Sequence, residues 1–294
     1  MHIKWGLSPR GLYNMGVYLG KKKGFFNFPG SYCIFYENIS GADYRRELIN
    51  GTFDMGTCGT PPLLAAFAHT KEYVLIGQAN CNYPPFYLIA DNSVSQIKDL
   101  RGKTIGINKF GTCSDSLVRT ILSEAGISVA DVNITALNVS YSEFAEVVVK
   151  QRIEACMQCE PWVSYFERVL NWRIIVDCTR SIRESNYAYL IYVKKSLLNE
   201  NPSLVSAYRD AYAKSIKYAK ENINELMVLD YSIDNIHACD LESAINREVP
   251  LWNENPSLDD DILANAVREL KRQGILPGEF CIQEYIYRGF ENSL

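Results

Sequence analysis

The sequence contains no apolar run long enough to cross a membrane. A spanning helix needs roughly 18 or more uncharged apolar residues in succession, and polar or charged residues interrupt every hydrophobic stretch of this chain sooner. Long basic runs are also missing, and the formal net charge is −4. These absences argue against membrane insertion and against nucleic acid or an anionic membrane as the main partner.

Motifs for metals, nucleotides and redox cofactors are missing too. The three histidines are scattered, without carboxylates or cysteines at ligand spacing. Cys156 and Cys159 have C-x-x-C spacing, but no second pair follows and the motif falls at a predicted strand end, so packing is its expected role. There is no G-x-G-x-x-G and no P-loop. We therefore predict no cofactor and no metal site.

A secretory signal is not recognisable at the start of the sequence, because a predicted strand begins at Ile3. Nine cysteines, an odd number scattered through predicted strands and turns, suit a reducing compartment better than a disulfide framework. These features predict a cytoplasmic protein. If a signal has been removed, the expectation is instead a periplasmic or lipid-anchored extracytoplasmic protein.

What the sequence does contain is a regular alternation of strand and helix patterns over 294 residues. That alternation predicts an α/β fold with mainly parallel sheets flanked by helices, and the length suits two lobes. We predict lobe I at 1–88 and 190–294 and lobe II at 89–189, with crossing strands near 86–91 and 187–193 as the hinge. Elements that matter below are predicted as strands at 53–55 and 103–108, and as helices at 61–68, 117–125 and 255–273.

Two short Gly-Thr-Cys segments stand between a predicted strand and a predicted helix. In the first, Thr60 could cap a helix in which Pro61 or Pro62 takes the first position. The second lies within 110–118. Because a helix N-terminus presents free N–H groups and a partial positive charge, two such turns that face each other would form a clamp for a small anion.

Four further segments, in this order and spacing, resemble a known family. They are Gly51-Thr-Phe-Asp-Met-Gly56 followed by Thr60-Pro-Pro-Leu-Leu64, Ile97-Lys-Asp-Leu-Arg-Gly-Lys-Thr-Ile-Gly-Ile107, Glu160-Pro-Trp162 and Gly274-Ile-Leu-Pro277. The chain resembles class II periplasmic-binding-protein folds of the nitrate, sulfonate and taurine type of ABC-transporter solute-binding proteins, together with the thiamine-pyrimidine synthase (NMT1/THI5-like) family. The resemblance covers nearly the whole chain.

The resemblance implies two α/β lobes with a small-molecule ligand in the cleft between them. Carried over to this sequence, the lining comprises the segment after the first strand, both Gly-Thr-Cys segments, Glu160 and Trp162. Tyrosines near the cleft are added as hydrogen-bonding or stacking candidates. The ligand-binding residues predicted in this way are Ser8, Arg10, Tyr13, Asn14, Gly56, Thr57, Cys58, Gly59, Thr60, Tyr83, Gly111, Thr112, Cys113, Ser114, Glu160, Trp162 and Tyr187.

The enzymes that the resemblance includes are not matched in their reactive residues. Pyrimidine synthases carry a histidine after the first strand and a clustered cysteine motif, whereas residues 6–15 contain no histidine and no such cluster exists. A sulfinate desulfinase of this fold places a cysteine and an arginine where this chain has Ser8 and Met55. Neither activity is therefore expected.

Cys58 and Cys113 are compatible with a different enzymatic activity. A thiol at a helix N-terminus can have a depressed pKa, and two thiols across a cleft could serve as acid, base or nucleophile in a cofactor-independent racemase, epimerase, decarboxylase or lyase. Small cysteines also commonly fill tight turns. We expect a solute-binding protein of an ABC importer that captures a small organic anion or polar heterocycle and docks on a permease, with the cytosolic enzyme as alternative.

Overall fold

The structure is a computed structural model, and it describes residues 1–8, 11–37, 40–81, 83–182, 189–229 and 236–290. The strands are β1 (His2–Leu7), β2 (Asn27–Phe28), β3 (Ser31–Tyr36), β4 (Met55–Gly59), β5 (Tyr73–Gln78), β6 (Tyr87–Ala90), β7 (Thr104–Ile107), β8 (Asn133–Ala136), β9 (Ala155–Gln158), β10 (Arg173–Asp177) and β11 (Tyr189–Lys194). The α-helices are α1 (Met15–Lys22), α2 (Gly41–Ile49), α3 (Thr60–Phe67), α4 (Cys113–Glu124), α5 (Phe144–Gln151), α6 (Trp162–Leu170), α7 (Cys178–Ser181), α8 (Lys195–Glu200), α9 (Pro202–Glu221), α10 (Ile223–Met227), α11 (Ala238–Glu248) and α12 (Asp260–Arg272).

The strands form two separate mixed sheets. The first has the order β2-β3-β1-β4-β11-β5 and the second the order β10-β6-β9-β7-β8. In the first, β1 is parallel to β3 and β4, and β11 is antiparallel to β4 and β5. In the second, β7 is parallel to β8 and β9, and β6 is antiparallel to β9 and β10. The predicted α/β class, with most strands of each sheet pointing one way, is confirmed.

The chain passes between the sheets twice. It leaves the first sheet after β5 and enters the second at β6, and it leaves the second after β10 and returns at β11. The arriving strand each time is the one that runs against its neighbours, which agrees with crossing strands in the two regions predicted. The residues at which the lobes divide, and the hinge itself, stay predictions.

Helices from the C-terminal part pack on the first sheet. Trp5 on β1 is fully buried and lies against Tyr208 and Tyr212 of α9, with ring centroids 6.4 and 6.5 Å apart. One continuous hydrophobic cluster extends from this region into the second sheet, and a smaller cluster that includes Phe144 and Phe166 lies on the second sheet alone. The apolar interior thus positions both sheets against shared helices.

Several boundaries differ from the predictions in ways that matter for the site. The strand predicted at 53–55 is β4, which continues through the first Gly-Thr-Cys segment to Gly59. Helix α4 starts at Cys113 instead of residue 117. The helix predicted from residue 255 starts at Asp260, because the Asp259 carboxylate caps it by accepting from the amides of Asp261 and Ile262 at 3.0 Å.

No α-helix within the described ranges is both long and apolar enough to cross a membrane. The longest helix, α9, spans 20 residues and carries several lysines and arginines along its length.

Candidate functional site

A small cavity lies between elements of the two sheets, at the carboxyl ends of β1, β4 and β7. Its space open to the centres of water molecules is about 20 Å³, enough for roughly one water. Its walls are Ser8, Tyr13, Gly41, Cys58, Gly59, Pro62, Phe86, Asn108, Thr112, Cys113, Ser114, Tyr141 and Tyr189. The carboxyl ends of parallel strands are where open α/β sheets place their ligands.

The two Gly-Thr-Cys segments face each other across this cavity. A Cβ placed on Gly59 would lie 2.3 Å from the Cys113 Sγ, so the backbone of β4 and the first residue of α4 are in direct contact. Seven of the predicted site residues meet in its walls: Ser8, Tyr13, Cys58, Gly59, Thr112, Cys113 and Ser114. The juxtaposition predicted from the repeated segment is therefore present.

The first segment does not offer the free amides that a turn would. It forms strand β4, in which Gly56 to Gly59 pair with β11, and Gly56 and Thr57 also pair with Gly6 and Leu7 of β1. The backbone groups of Gly56 and Thr57 therefore belong to the sheet ladder on both sides, whereas Cys58 and Gly59 pair with β11 alone. The prediction of backbone donors to an anion is wrong for Gly56 and Thr57, because a central strand uses its amides to hold its neighbours. For Cys58 and Gly59 it stays a prediction.

The start of α3 is also a poor anion site. Gly59 is the cap and Thr60 the first helical residue, one position earlier than predicted, and Pro61 and Pro62 follow. Proline has no N–H group, so Thr60 is the only one of the first three helical residues with an amide. The prolines start the helix well, but they remove most of the donors that make a helix N-terminus attractive to anions.

The second segment does begin a helix, with Thr112 as its cap. The Gly111 amide donates to Asp115 Oδ2 at 2.9 Å, so this predicted donor is also used within the protein. The Thr112 hydroxyl donates to the Lys109 carbonyl at 2.6 Å and lies 2.9 Å from the Ser114 hydroxyl, which accepts from the Asn108 amide at 3.1 Å. The amides of Cys113 and Ser114 remain as the first-turn groups that lack acceptors within the helix.

Burial raises the pKa of both cleft thiols. Cys58 is fully buried, and desolvation together with the charge of Cys113 holds its pKa well above the ordinary value. Desolvation raises the pKa of Cys113 to about 12, although its own backbone amide acts in the opposite direction. The prediction that a helix N-terminus would depress these pKa values is wrong, since Cys58 lies in a strand and desolvation outweighs the helix at Cys113.

The segment after β1 contributes an aromatic wall and a fixed hydroxyl. Tyr13 packs against Tyr189, with ring centroids 4.6 Å apart. Asn14 donates from Nδ2 to the Ser8 carbonyl at 3.1 Å and to the Ser8 hydroxyl at 3.2 Å, so its amide group orients Ser8. Arg10 and Tyr187, which were also predicted to bind ligand, lie outside the described residues.

Glu160, Trp162 and Tyr83 are buried but do not line the cavity walls. Glu160 accepts from the Ser164 amide at 3.1 Å and hydroxyl at 3.0 Å and pairs with Arg247. Desolvation raises its pKa to about 7, against the lowering effect of Arg247. The Glu160 carbonyl also accepts from the Leu12 amide at 2.8 Å, which ties the loop after β9 to the segment after β1.

Sequence reasoning missed six residues of the cavity wall: Gly41, Pro62, Phe86, Asn108, Tyr141 and Tyr189. The last three lie at or near the ends of predicted elements, and a search at strand ends would have found Asn108. The periodicity of the sequence does not predict whether the other missed residues face the cavity. Among the described residues, Cys58 and Cys113 are the only cysteines in the wall, so a cysteine-rich cleft is not confirmed. No cluster of metal-ligating side chains occurs within the described part of the chain.

Comparisons with known proteins agree with this fold. A family described as "NMT1/THI5 like" matches residues 12–225. The structure of the alkanesulfonate-binding protein SsuA from Xanthomonas axonopodis pv. citri bound to MOPS is similar, with a TM-score of 0.82 and 14% identity over 97% of this chain and 98% of that chain. No curated protein matches the chain in sequence.

Two further solved structures have the same architecture. The periplasmic aliphatic sulphonate binding protein SsuA from Escherichia coli gives a TM-score of 0.77 at 16% identity over 98% of this chain and 97% of that one. The periplasmic nitrate-binding protein NrtA from Synechocystis PCC 6803 gives 0.76 at 14% identity, over 99% of this chain and 87% of that one. At these identities the likeness concerns the fold, and it confirms the two-lobed class II periplasmic-binding-protein type.

Proposed function

Because the chain belongs to the NMT1/THI5-like family, we propose that it binds a small organic anion or polar heterocycle reversibly between its two sheets, as the solute-binding component of an ABC importer. The observation that carries the proposal is the cavity in which both Gly-Thr-Cys segments meet. Neutral hydroxyl and amide groups of Ser8, Asn108 and Ser114 offer hydrogen bonds there, and tyrosine rings offer a flat apolar wall.

Ligand entry requires the two halves to separate. A cavity of about 20 Å³ holds roughly one water, so the described arrangement corresponds to a closed cleft. Opening by a hinge motion and closing around the ligand is a common behaviour of two-lobed binding proteins. The interlobe contacts at Gly59 and Cys113 would then be replaced by contacts to the ligand.

The alternative, a cytosolic enzyme that uses Cys58 and Cys113, is not favoured. A nucleophilic or acid–base thiol at neutral pH needs a pKa near or below the working pH. Burial acts in the opposite direction on both residues. Their contact with the backbone of the facing segment suits packing in a closed cleft instead.

An importer component would work outside the cytoplasm and would dock on a membrane permease. Of the two locations expected from the sequence, the proposal favours the extracytoplasmic one, since two of the similar structures are those of periplasmic proteins. Cell fractionation of the full gene product tests this. A protein found only in the cytoplasm would contradict the transport role while leaving ligand binding intact.

A thermal-shift screen against sulfonates, carboxylates, amino acids and pyrimidines tests the proposed binding. A ligand at 100 times its dissociation constant should raise the free energy of unfolding by about 2.7 kcal/mol. The Tyr141→Phe variant removes one hydroxyl from the cavity wall, and we expect it to weaken the best ligand by about tenfold, the value of one hydrogen bond.

The matched control is Tyr165→Phe, which removes a hydroxyl from α6 outside the cavity wall. It should bind as the unmodified protein does. Equal loss of affinity in both variants, or no stabilisation by any compound, would count against the cavity as the binding site.

A further inference from the structure

Glu248, the last residue of α11, is a buried acid with unpaired oxygens. Its relative exposure is 0%, and neither Oε1 nor Oε2 makes a hydrogen bond of good geometry in the described structure, although the Tyr87 hydroxyl is close enough to act on the carboxyl. Burial and the nearby charge of Glu160 raise its pKa well above the ordinary value. An unpaired buried carboxyl is costly to the fold, so its presence calls for a reason.

Other buried acids of this chain are fully engaged. Asp240 accepts from both Arg168 nitrogens, at 2.7 and 2.8 Å, and from the His237 amide at 2.8 Å. Glu269 accepts from Thr120 at 2.8 Å and from Arg272 at 2.6 Å. Asp240 and Glu269 thus have the hydrogen-bond partners that Glu248 lacks.

Three more buried polar groups near Glu248 lack partners among the described residues: the hydroxyls of Tyr83 and Tyr87 and the Gln158 Nε2. Tyr87 and Gln158 are paired directly across β6 and β9, which puts their side chains on the same face. Tyr87 is close enough to Glu248 to lower its pKa, and the charge of Glu248 raises the pKa of Tyr83. We call these four residues the Glu248 cluster.

The charges around the cluster leave it with excess negative potential. Arg247 lies 5.7 Å above the Tyr87 ring, but its guanidinium pairs with Glu160 and with Glu167, the latter at 2.8 Å. The charges of Glu160 and Asp177 raise the pKa of Glu248, whereas the charge of Arg247 lowers it and outweighs neither burial nor the acids. A cation brought into the cluster would meet an unpaired carboxyl instead of a competing salt bridge.

The cluster adjoins the cleft. Helix α11 packs against α6 and against the turn Leu12–Asn14, whose Tyr13 lines the cavity. The Cys159 thiol lies within electrostatic range of both Glu248 and the cavity residue Cys113, since the charges of both raise its pKa. The helix that carries Glu248 is therefore a neighbour of the cleft wall.

We propose that the Glu248 cluster is a second subsite of the cleft, which binds a protonated amine on the ligand. This inference rests on the proposed function and narrows its ligand to molecules that carry a basic nitrogen at one end. The carboxylate and the tyrosine hydroxyls accept from the ammonium group. Because burial raises the pKa of Glu248 in the unliganded protein and a bound ammonium ion lowers it, binding of the amine favours loss of the Glu248 proton.

A stability measurement on the unliganded protein tests the subsite without knowledge of the ligand. The Glu248→Met variant removes an unpaired acid, so its melting temperature should equal or exceed that of the unmodified protein. The matched variant Glu269→Met removes a fully bonded acid and should melt several degrees lower. A similar drop for Glu248→Met would show a structural role and overturn the proposal.

A binding measurement with paired compounds tests the amine directly. Taurine and ethanesulfonate, β-alanine and propionate, and an aminomethylpyrimidine and its methyl analogue differ only in the amino group. We expect the amine of a pair that binds to be at least tenfold tighter, with net proton release detected by calorimetry across buffers of different ionisation enthalpy. Glu248→Gln should lose both the preference and the proton release.

The outcomes separate the two proposals. If both members of a pair bind equally, or if Glu248→Gln keeps the preference, the cleft binds ligands but the amine subsite is wrong. If no compound of any pair and none of the wider screen binds, the proposed function fails and this inference fails with it.

Discussion

The pKa values of individual side chains support the proposed binding protein over the alternative enzyme. A cysteine is useful in catalysis as a thiolate, and the thiolate is the form that a dry interior penalises. Cys58 and Cys113 lie in the cleft but are enclosed by it, and the pKa of Cys113 is raised to about 12. The same residues would have supported catalysis only in an open, polar setting.

The rate of alkylation measures how accessible and how ionised each cysteine thiol is. In the native protein at about pH 7.5, iodoacetamide should label the exposed Cys239 and Cys281 at least roughly 100-fold faster than Cys58 and Cys113, because rate follows thiolate fraction and access. Mass spectrometry of peptides after timed quenching gives the rates. Labelling of Cys113 as fast as that of Cys281 would restore the enzyme alternative.

At the level of elements, one junction joins the second sheet to the C-terminal helices. Arg247 of α11 pairs with Glu160 and Glu167, and Arg168 of α6 pairs in two places with Asp240 of α11. Glu160 is buried inside this junction with a pKa near 7. The junction should therefore respond to pH near neutrality.

The sign of the pH dependence of stability follows from the direction in which folding shifts the pKa of Glu160. The pKa of Glu160 rises from an ordinary 4.5 to about 7 on folding, so between these values the folded chain binds more protons than the unfolded chain. The free energy of unfolding should fall as pH rises through this window, by up to about 1.4 kcal/mol per pH unit for one group. Glu248 contributes in the same direction.

Urea unfolding at pH values between 5 and 8 measures how the free energy of unfolding changes with pH. Glu160→Gln should make the decline between pH 5 and 7 shallower. Glu269→Gln is the control, because the pKa of Glu269 is lowered by its hydrogen bonds and it is already ionised in this range. A stability that rises with pH, or a slope unchanged in Glu160→Gln, would contradict the role given to this junction.

The strands and helices also show how much of the secondary structure the sequence patterns predict. Alternating apolar periods predicted most strands and helices, because burial of one face is a local property. The same patterns placed a turn at Gly56 to Gly59, where the chain forms a central strand. Small residues are typical of turns, but here they allow close packing: a Cβ on Gly56 would lie 2.4 Å from the Gly6 carbonyl oxygen. The need for a residue without a side chain at Gly56 comes from the neighbouring strands, and the local sequence does not reveal it.

The candidate site was predictable only in part for a related reason. Ser8, Cys58, Cys113 and Ser114 were found because strand ends and repeated segments mark the cleft edge. Tyr189 and Phe86 arrive there from strands that cross between the sheets, and their direction depends on register. Glu248 lies 124 residues beyond the last residue of α4 in sequence order, and its unpaired state is a property of three-dimensional packing.

The whole molecule is best understood as two sheets that share a closed cleft. The backbone of β4 touches the start of α4, and Lys109 bridges to Asp43 of α2 at 2.9 Å near the cleft rim. Contacts of this kind hold the two halves together in this structure, and under the proposed function they break when a ligand enters. Separation of the halves is thus the step on which the proposed binding depends.

A disulfide across the cleft tests that step most directly. A Cβ on Gly41 would lie 3.3 Å from Thr112 Cγ2, close to the spacing that a disulfide bridges. The measurement is calorimetric titration of Gly41→Cys/Thr112→Cys with the best ligand of the screen, after oxidation and again after reduction, with peptide mapping of the bond and both single variants as controls. We predict no binding in the oxidised form and recovery on reduction, whereas an oxidised form that binds as well as the reduced one would contradict a ligand site between the two sheets.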